Sequence, residues 1–201
     1  MTQNTSYAVM AQRGEPSDSL DDFPTPPWAT RALLTHVIQS EPWQTVWEPT
    51  CNRGYMTRPL QEYFKTVYAS DIADYGNNHI CDYLTSEIAT PVDWIIFNPP
   101  FRLAAEFINH SFKLNPNIGI AVFIRSTFLE GIKRYETLYK NNPPTIIAQF
   151  SERVPLVKGR YDPKASTATA YCWITWLKGE NPQPFRWIKP CRHDLERQSD
   201  L

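Results

Sequence analysis

A chain of 201 residues that is 42% hydrophobic, with seven Trp, ten Tyr and ten Phe, is long enough for one domain with a real core. Its net charge of −1 and pI near 6.4 exclude a generally basic surface, so any nucleic-acid site must be a local patch. The four cysteines (Cys51, Cys81, Cys172, Cys191) and four histidines are dispersed, with no C-x-x-C pair, which argues against structural zinc or a disulfide scaffold and for thiols in a reducing cytosol.

Residues 1–20 are polar without a period and read as a flexible tail, with no apolar signal core. After Asp21-Asp22-Phe23-Pro24-Thr25-Pro26-Pro27, an amphipathic helix is expected from Trp28 to Gln39, with Leu33, Leu34, Val37 and Ile38 on its apolar face. Thr45 to Pro49 reads as a first strand, Thr50 to Gly54 as a turn and Tyr55 to Phe64 as a helix, where Pro59 is tolerable only near the first turn. Thr66 to Asp71 is a second strand and Ile80 to Leu84 a short third one. The uninterrupted apolar run Trp94 to Phe97 is a fourth, buried on both faces.

Leu103 to Leu114 is expected to be helical and Ile118 to Ile124 to form a fifth strand. Leu129 to Lys140 is a further helix, closed by Asn142-Pro143-Pro144. Thr145 to Phe150 and Ala168 to Trp176 are β-rich with only a polar, basic loop between them, which predicts an antiparallel edge hairpin. A short edge strand is expected at Phe185 to Ile188, and 191–201 reads as a frayed tail. Strands alternating with helices predict an α/β, Rossmann-like, doubly wound and mostly parallel sheet of seven strands, forming a single domain over 21–190. No apolar run approaches the roughly 20 residues needed to span a bilayer.

The most informative stretch is Asn98-Pro99-Pro100-Phe101, at the end of the fourth strand. Neither proline can donate a ladder hydrogen bond, so the strand stops there and presents its last residues at the sheet's carboxyl edge, where α/β folds bind ligands. The chemistry suggested is methylation of a conjugated amine. Such an amine is a poor nucleophile, because its lone pair is delocalised into the ring. It needs acceptors that draw its N–H bonds out of plane and a flat wall that holds the ring. The Asn98 side-chain oxygen and the Pro99 carbonyl are acceptors, and Phe101 offers a stacking face. A plain proline-terminated turn is the competing reading.

A second constellation lies upstream. Glu48-Pro49-Thr50-Cys51-Asn52-Arg53-Gly54 joins a strand to a helix and can bring backbone close to a ligand. About twenty residues on, Asp71 can accept both hydroxyls of a ribose, and Asp82 can take an adenine amine. Strand-end acids are often only caps, but their order before Asn-Pro-Pro-Phe narrows the choice.

Together these residues resemble the S-adenosylmethionine-dependent DNA amino-methyltransferases of the adenine-N6 type, of which short forms occur in phages and prophages. The resemblance covers roughly 21–177. It implies Asn98, Pro99, Pro100 and Phe101 as the catalytic motif. It implies Phe23, Thr25 and Pro26 as a segment at the methionine end of the cofactor, Glu48, Pro49 and Gly54 as its binding turn, Asp71 as the ribose acid and Asp82 as the adenine acid. Ile72 would pack on the adenine ring. One departure is Asn52, where the family has a glycine; Asn is the non-glycine residue most tolerant of left-handed backbone. The other is size, since larger relatives carry a separate target-recognition domain for which this chain has no room.

The implied partner is DNA, with the base flipped out or single-stranded, and the protein is expected to be a cytoplasmic monomer or homodimer. Lys158, Arg160 and Lys164 are candidates for phosphate contacts, Tyr161 for stacking or wedging beside the base, and Arg102 and Arg125 are secondary candidates. A solvated basic loop is the bland alternative. Three other functions stay open: a methyltransferase for a ribosomal RNA base or a protein glutamine, a nucleic-acid-binding protein with a degenerate cofactor site, and a nicotinamide-dependent dehydrogenase, which the missing G-x-G-x-x-G disfavours.

Overall fold

The computed structural model describes residues 21–87, 91–181, 186–188 and 191–200. The presumed tail at 1–20 and Phe185 lie outside the described residues. One mixed sheet organises them. Its strands are β1 (Thr45–Glu48), β2 (Thr66–Asp71), β3 (His79–Ile80), β4 (Trp94–Phe97), β5 (Gly119–Arg125), β6 (Ile146–Phe150), β7 (Tyr171–Leu177) and β8 (Arg186–Ile188). The spatial order is β3-β2-β1-β4-β5-β7-β6-β8. The first five strands pair with one another in parallel, and β7 runs antiparallel to both β5 and β6. This is the expected doubly wound sheet with its antiparallel pair; β8 adds an eighth strand, parallel to β6, at the edge.

Alternation along each central strand splits the core in two. Trp94 and Ile96 of β4, Ala121 and Phe123 of β5, and Tyr171 and Trp173 of β7 pack on one face. Ile95 and Phe97, Ile120, Val122 and Ile124, and Cys172 and Ile174 pack on the other. A strand buried on both faces has no polar alternation to show, which is why these segments read as continuous apolar runs. The first face is covered by helix α1 (Pro27–His36) and the short α2 (Thr57–Gln61), the second by α3 (Ala104–Leu114). Pro27 starts α1 at the position where its missing N–H costs nothing, and Pro59 lies in the first turn of α2. The Trp173 indole donates to the Ala29 carbonyl (2.9 Å), fixing α1 to the sheet.

Three expectations need correction. The third strand is only two residues long, because Tyr83 turns into the core and hydrogen-bonds Ser111 Oγ at 2.6 Å, leaving 83–85 as a 3-10 turn. The helix expected at 129–140 is instead a 3-10 turn (Ser126–Leu129), a three-residue helix α4 (Ile132–Arg134) and a π turn (Tyr135–Tyr139). Leu138 is the one buried side chain given by these pieces, so no apolar stripe supports a regular helix. The segment 191–200 is no frayed end. Cys191 is buried, helix α5 (Arg192–Leu195) follows, and Asp200 pairs with Arg31 of α1 at 2.5 Å. Arg31, 2% exposed, also donates to the Leu195 carbonyl (2.9 Å) and to Glu62 (2.7 Å). No helix among the described residues is long and apolar enough to cross a membrane.

Candidate active site

The strand order reverses between β1 and β4, and the crevice there holds a cavity of about 370 Å³. Such switch points are where doubly wound sheets receive ligands. Phe23, Thr25, Glu48, Pro49, Asn52, Asp71, Ile72, Asp82, Asn98 and Pro100 all line it. Pro26, Gly54, Pro99 and Phe101 each adjoin a lining residue in the chain (Tyr55 in the case of Gly54) without lining the cavity themselves.

The turn after β1 is shaped by two left-handed residues, Asn52 at φ 49° and Gly54 at φ 80°. Asn52 thus takes the conformation for which a glycine is the usual choice. Its amide N–H donates to Asp71 Oδ2 (2.9 Å), and Ala73 N–H donates to Asp71 Oδ1 (3.2 Å). The Asp71 carboxylate therefore clamps the turn and keeps lone pairs for a ligand. Burial pushes its pKa up against those amide bonds. Asp82 accepts from Leu84 N–H (3.0 Å) and caps the 3-10 turn. Ile72 is left 60% exposed beside them.

Glu48 is 1% exposed and accepts a hydrogen bond from Thr57. Burial raises its pKa to about 8, a little more because of the Asp71 charge and despite the Thr57 bond. The folded-state value lies above the unfolded one, so this group's contribution to stability is complete at low pH and is lost as pH rises through about 8. Glu48→Gln removes that loss. Between pH 6 and pH 9 the wild type should lose about 2–3 kcal/mol relative to E48Q, at roughly 1.4 kcal/mol per pKa unit. Urea unfolding at the two pH values checks this, and a constant difference between the proteins contradicts a buried neutral acid.

Two residues that the sequence reading passed over organise the site. The strap 21–26 lies across the crevice. Asp21 accepts from the Phe101 amide (2.8 Å), and Asp22 accepts from the Asn52 side chain (2.6 Å) and pairs with Arg53 (2.9 Å). The Phe23 carbonyl accepts from Asn98 Nδ2 (2.9 Å), and the Phe23 ring meets Phe101 at 5.7 Å. A carbonyl can only accept, so this bond settles which end of the Asn98 amide is which and leaves Oδ1 as the acceptor. The signal available was the Asp-Asp pair just before Phe-x-Thr-Pro.

The basic loop docks beside the strap. Val157 and Arg160 form a β-bridge, and Gly159 N–H donates to the Asp22 carbonyl at 2.7 Å. Arg160 pairs with Asp162 (3.3 Å), whose carboxylate also receives the Lys164 amide (3.0 Å); Lys158 sits in the same tight turn. Tyr161 donates its hydroxyl to Glu196 of the 191–200 segment and sets its ring 6.4 Å from that of Tyr55. Arg102 lines the cavity, whereas Arg125 lies over the Phe101 ring.

A polar, cationic ligand fits this cavity. Thr25 Oγ1 and Thr50 Oγ1 are buried in its wall with no partner among the described residues, and an unmet buried hydroxyl costs about 1–3 kcal/mol. Asp21, Asp22, Glu48, Asp71 and Asp82 surround it with carboxyl groups. Cys51 also lines it, but burial, with Glu48 and Asp71 adding to it, pushes the thiol to about 12, which removes it as a nucleophile near neutral pH.

No protein-family model matches the chain, and no curated protein matches it. Solved structures do. A protein of Listeria monocytogenes assigned to the class I S-adenosylmethionine-dependent methyltransferases superposes with a TM-score of 0.60 at 14% identity, over 89% of this chain and 68% of that one. The M protein of the type I restriction enzyme EcoKI gives 0.60 at 15%, over 86% and 48%. The type I restriction-modification methyltransferase subunit from Streptococcus thermophilus gives 0.57 at 12%, over 92% and 50%. This chain spans about half the length of the two restriction-system subunits. The likeness establishes the class I methyltransferase fold.

Proposed function

We propose that this protein transfers a methyl group from S-adenosylmethionine directly to the N6 amine of adenine in DNA, acting in the cytoplasm as a monomer or homodimer. The observation that carries the reading is the orientation of Asn98: its NH2 is held by the Phe23 carbonyl and its Oδ1 is the end left to accept. Bound in the crevice, the cofactor would supply an electrophilic methyl carbon on a positively charged sulfur. Asp71 and Asp82 would hold its ribose and adenine, Ile72 would cover the adenine face, and Thr25 and Thr50 would satisfy their hydroxyls on its polar end. A cationic group near Glu48 favours the ionised carboxylate, so binding is expected to release a proton at pH values below about 8, where the free protein still holds it.

The chain's own part is positioning. Asn98 Oδ1 and the Pro99 carbonyl accept the two amine hydrogens and draw the nitrogen out of conjugation with the ring. Phe101 gives the base a flat wall. Lys158, Arg160 and Lys164 lie on the loop that meets the strap at Asp22, within reach of a backbone threaded to the crevice. The likeness in fold to subunits of type I restriction enzymes supports DNA as the methyl acceptor.

The test is incubation with labelled S-adenosylmethionine and adenine-unmethylated DNA, followed by digestion to nucleosides. N6-methyladenine is the expected product. Label appearing only in ribosomal RNA or in protein glutamine, or no binding of the cofactor at millimolar concentration, overturns the reading.

A further inference from the structure

The ring that would stack on a target base is already covered. Arg125, the last residue of β5, places its guanidinium carbon 4.0 Å from the centroid of Phe101, over the ring. A guanidinium over an aromatic face occupies space that a nucleobase stacking on that face would take. Two further observations mark the pose as a resting one. Among the described residues Arg125 Nε is buried and meets no acceptor. Among the described residues the guanidinium also hydrogen-bonds the Tyr171 side chain, which is 4% exposed and sits in the sheet, rather than a carboxylate. An arginine settled for good would use its planar fork on a carboxylate, as Arg31 does with Glu62 and Asp200.

We infer that Arg125 is a placeholder for the target base: it caps Phe101 in the free protein and must leave that face before a flipped or single-stranded base can stack there. The inference rests on the proposed function, since it takes the stacking ligand to be a base. Its consequence is a gate. Only the fraction of molecules with Arg125 swung away is competent, and the apparent affinity for nucleic acid falls by that fraction. A released guanidinium carries a buried donor that recovers a partner in water.

The experiment compares wild type, Arg125→Ala and Arg125→Lys. One readout is KM and kcat for adenine-unmethylated DNA with labelled S-adenosylmethionine. The other, which needs no turnover, is the affinity for fluorescein-labelled oligo(dA) by anisotropy across a salt series. Loss of the cap in either variant should lower KM and Kd about 3- to 10-fold, with an unchanged salt slope. Lysine should behave like alanine, because it keeps the charge and loses the plane. Weaker binding by R125A with wild-type behaviour of R125K, and a salt slope smaller by about one, would mark a phosphate contact and overturn the inference. A fall in melting temperature with KM and Kd unchanged, or no oligo(dA) binding by any of the three, overturns it as well. A wild type that binds oligo(dA) but methylates no DNA defeats the proposed function alone, and the anisotropy series then decides the role of Arg125.

Discussion

Asn98→Ala should lower methyl transfer to DNA by about 10²- to 10³-fold, the range seen when one fixed polar group at a reacting centre is removed. Affinity for S-adenosylmethionine should stay within a fewfold of wild type. The amide does two things at once. Nδ2 holds the Phe23 carbonyl at 2.9 Å, and Oδ1 is thereby set to receive an amine hydrogen. Alanine removes both. Asn98→Asp separates them, since a carboxylate still accepts but cannot donate to Phe23 when ionised. If acceptance is what matters, N98D retains more activity than N98A and binds its substrate less well, because strap and turn then face each other as two acceptors. Product analysis for transfer and calorimetry for the cofactor give the two numbers. Full activity in N98A would remove the residue from the chemistry.

The second large effect concerns stability. Arg31→Ala should cost about 3–5 kcal/mol, the usual penalty for breaking a buried ion pair from one side. Arg31 and Asp200 are almost wholly buried, at 2% and 5% side-chain exposure, and Glu62 joins them at 25%. Removing the guanidinium leaves Asp200 and Glu62 facing each other without their cation and takes the Leu195 carbonyl's partner away. Arg197, which pairs with Glu62 at 2.9 Å, is more exposed and cannot replace it. Urea unfolding measures the loss. Reactivity of the buried Cys191 thiol toward a soluble reagent shows whether 191–200 lifts off before the rest unfolds. A loss below about 1 kcal/mol would mean that the segment is held by its apolar contacts instead.

How far the sequence could be read follows from how local each signal is. Four apolar residues running into two prolines allow little but a buried strand with an abrupt end, so β4 and the position of Asn98 were legible. The turn at Asn52 was legible because left-handed backbone leaves few residue choices, and asparagine is one of them. The 126–140 segment misled because its helix-forming residues suggest a stripe that packing does not use: Ile132 is 85% exposed and Tyr135 55%. The clasp at Arg31 joins residues 31 and 169 positions apart, and no periodicity spans such distances. The bond from Tyr161 to Glu196 was out of reach for the same reason, since it joins residues 35 positions apart. Asp21 and Asp22 look like loop acids until the crevice brings Asn52, Arg53 and the Phe101 amide to them.

The strap carries one more implication. Asp22 bonds the turn that would hold the cofactor, and Phe23, the very next residue, bonds the side chain that would hold the base. The two half-sites are therefore joined by a single peptide unit. A ligand that quiets one of them leaves less disorder to be removed at the other, which is positive cooperativity without a change of shape. By reciprocity, whatever factor the methyl donor adds to nucleic-acid affinity, the nucleic acid adds to the donor's. A donor analogue and oligo(dA), each titrated with and without the other, would have to return the same coupling factor.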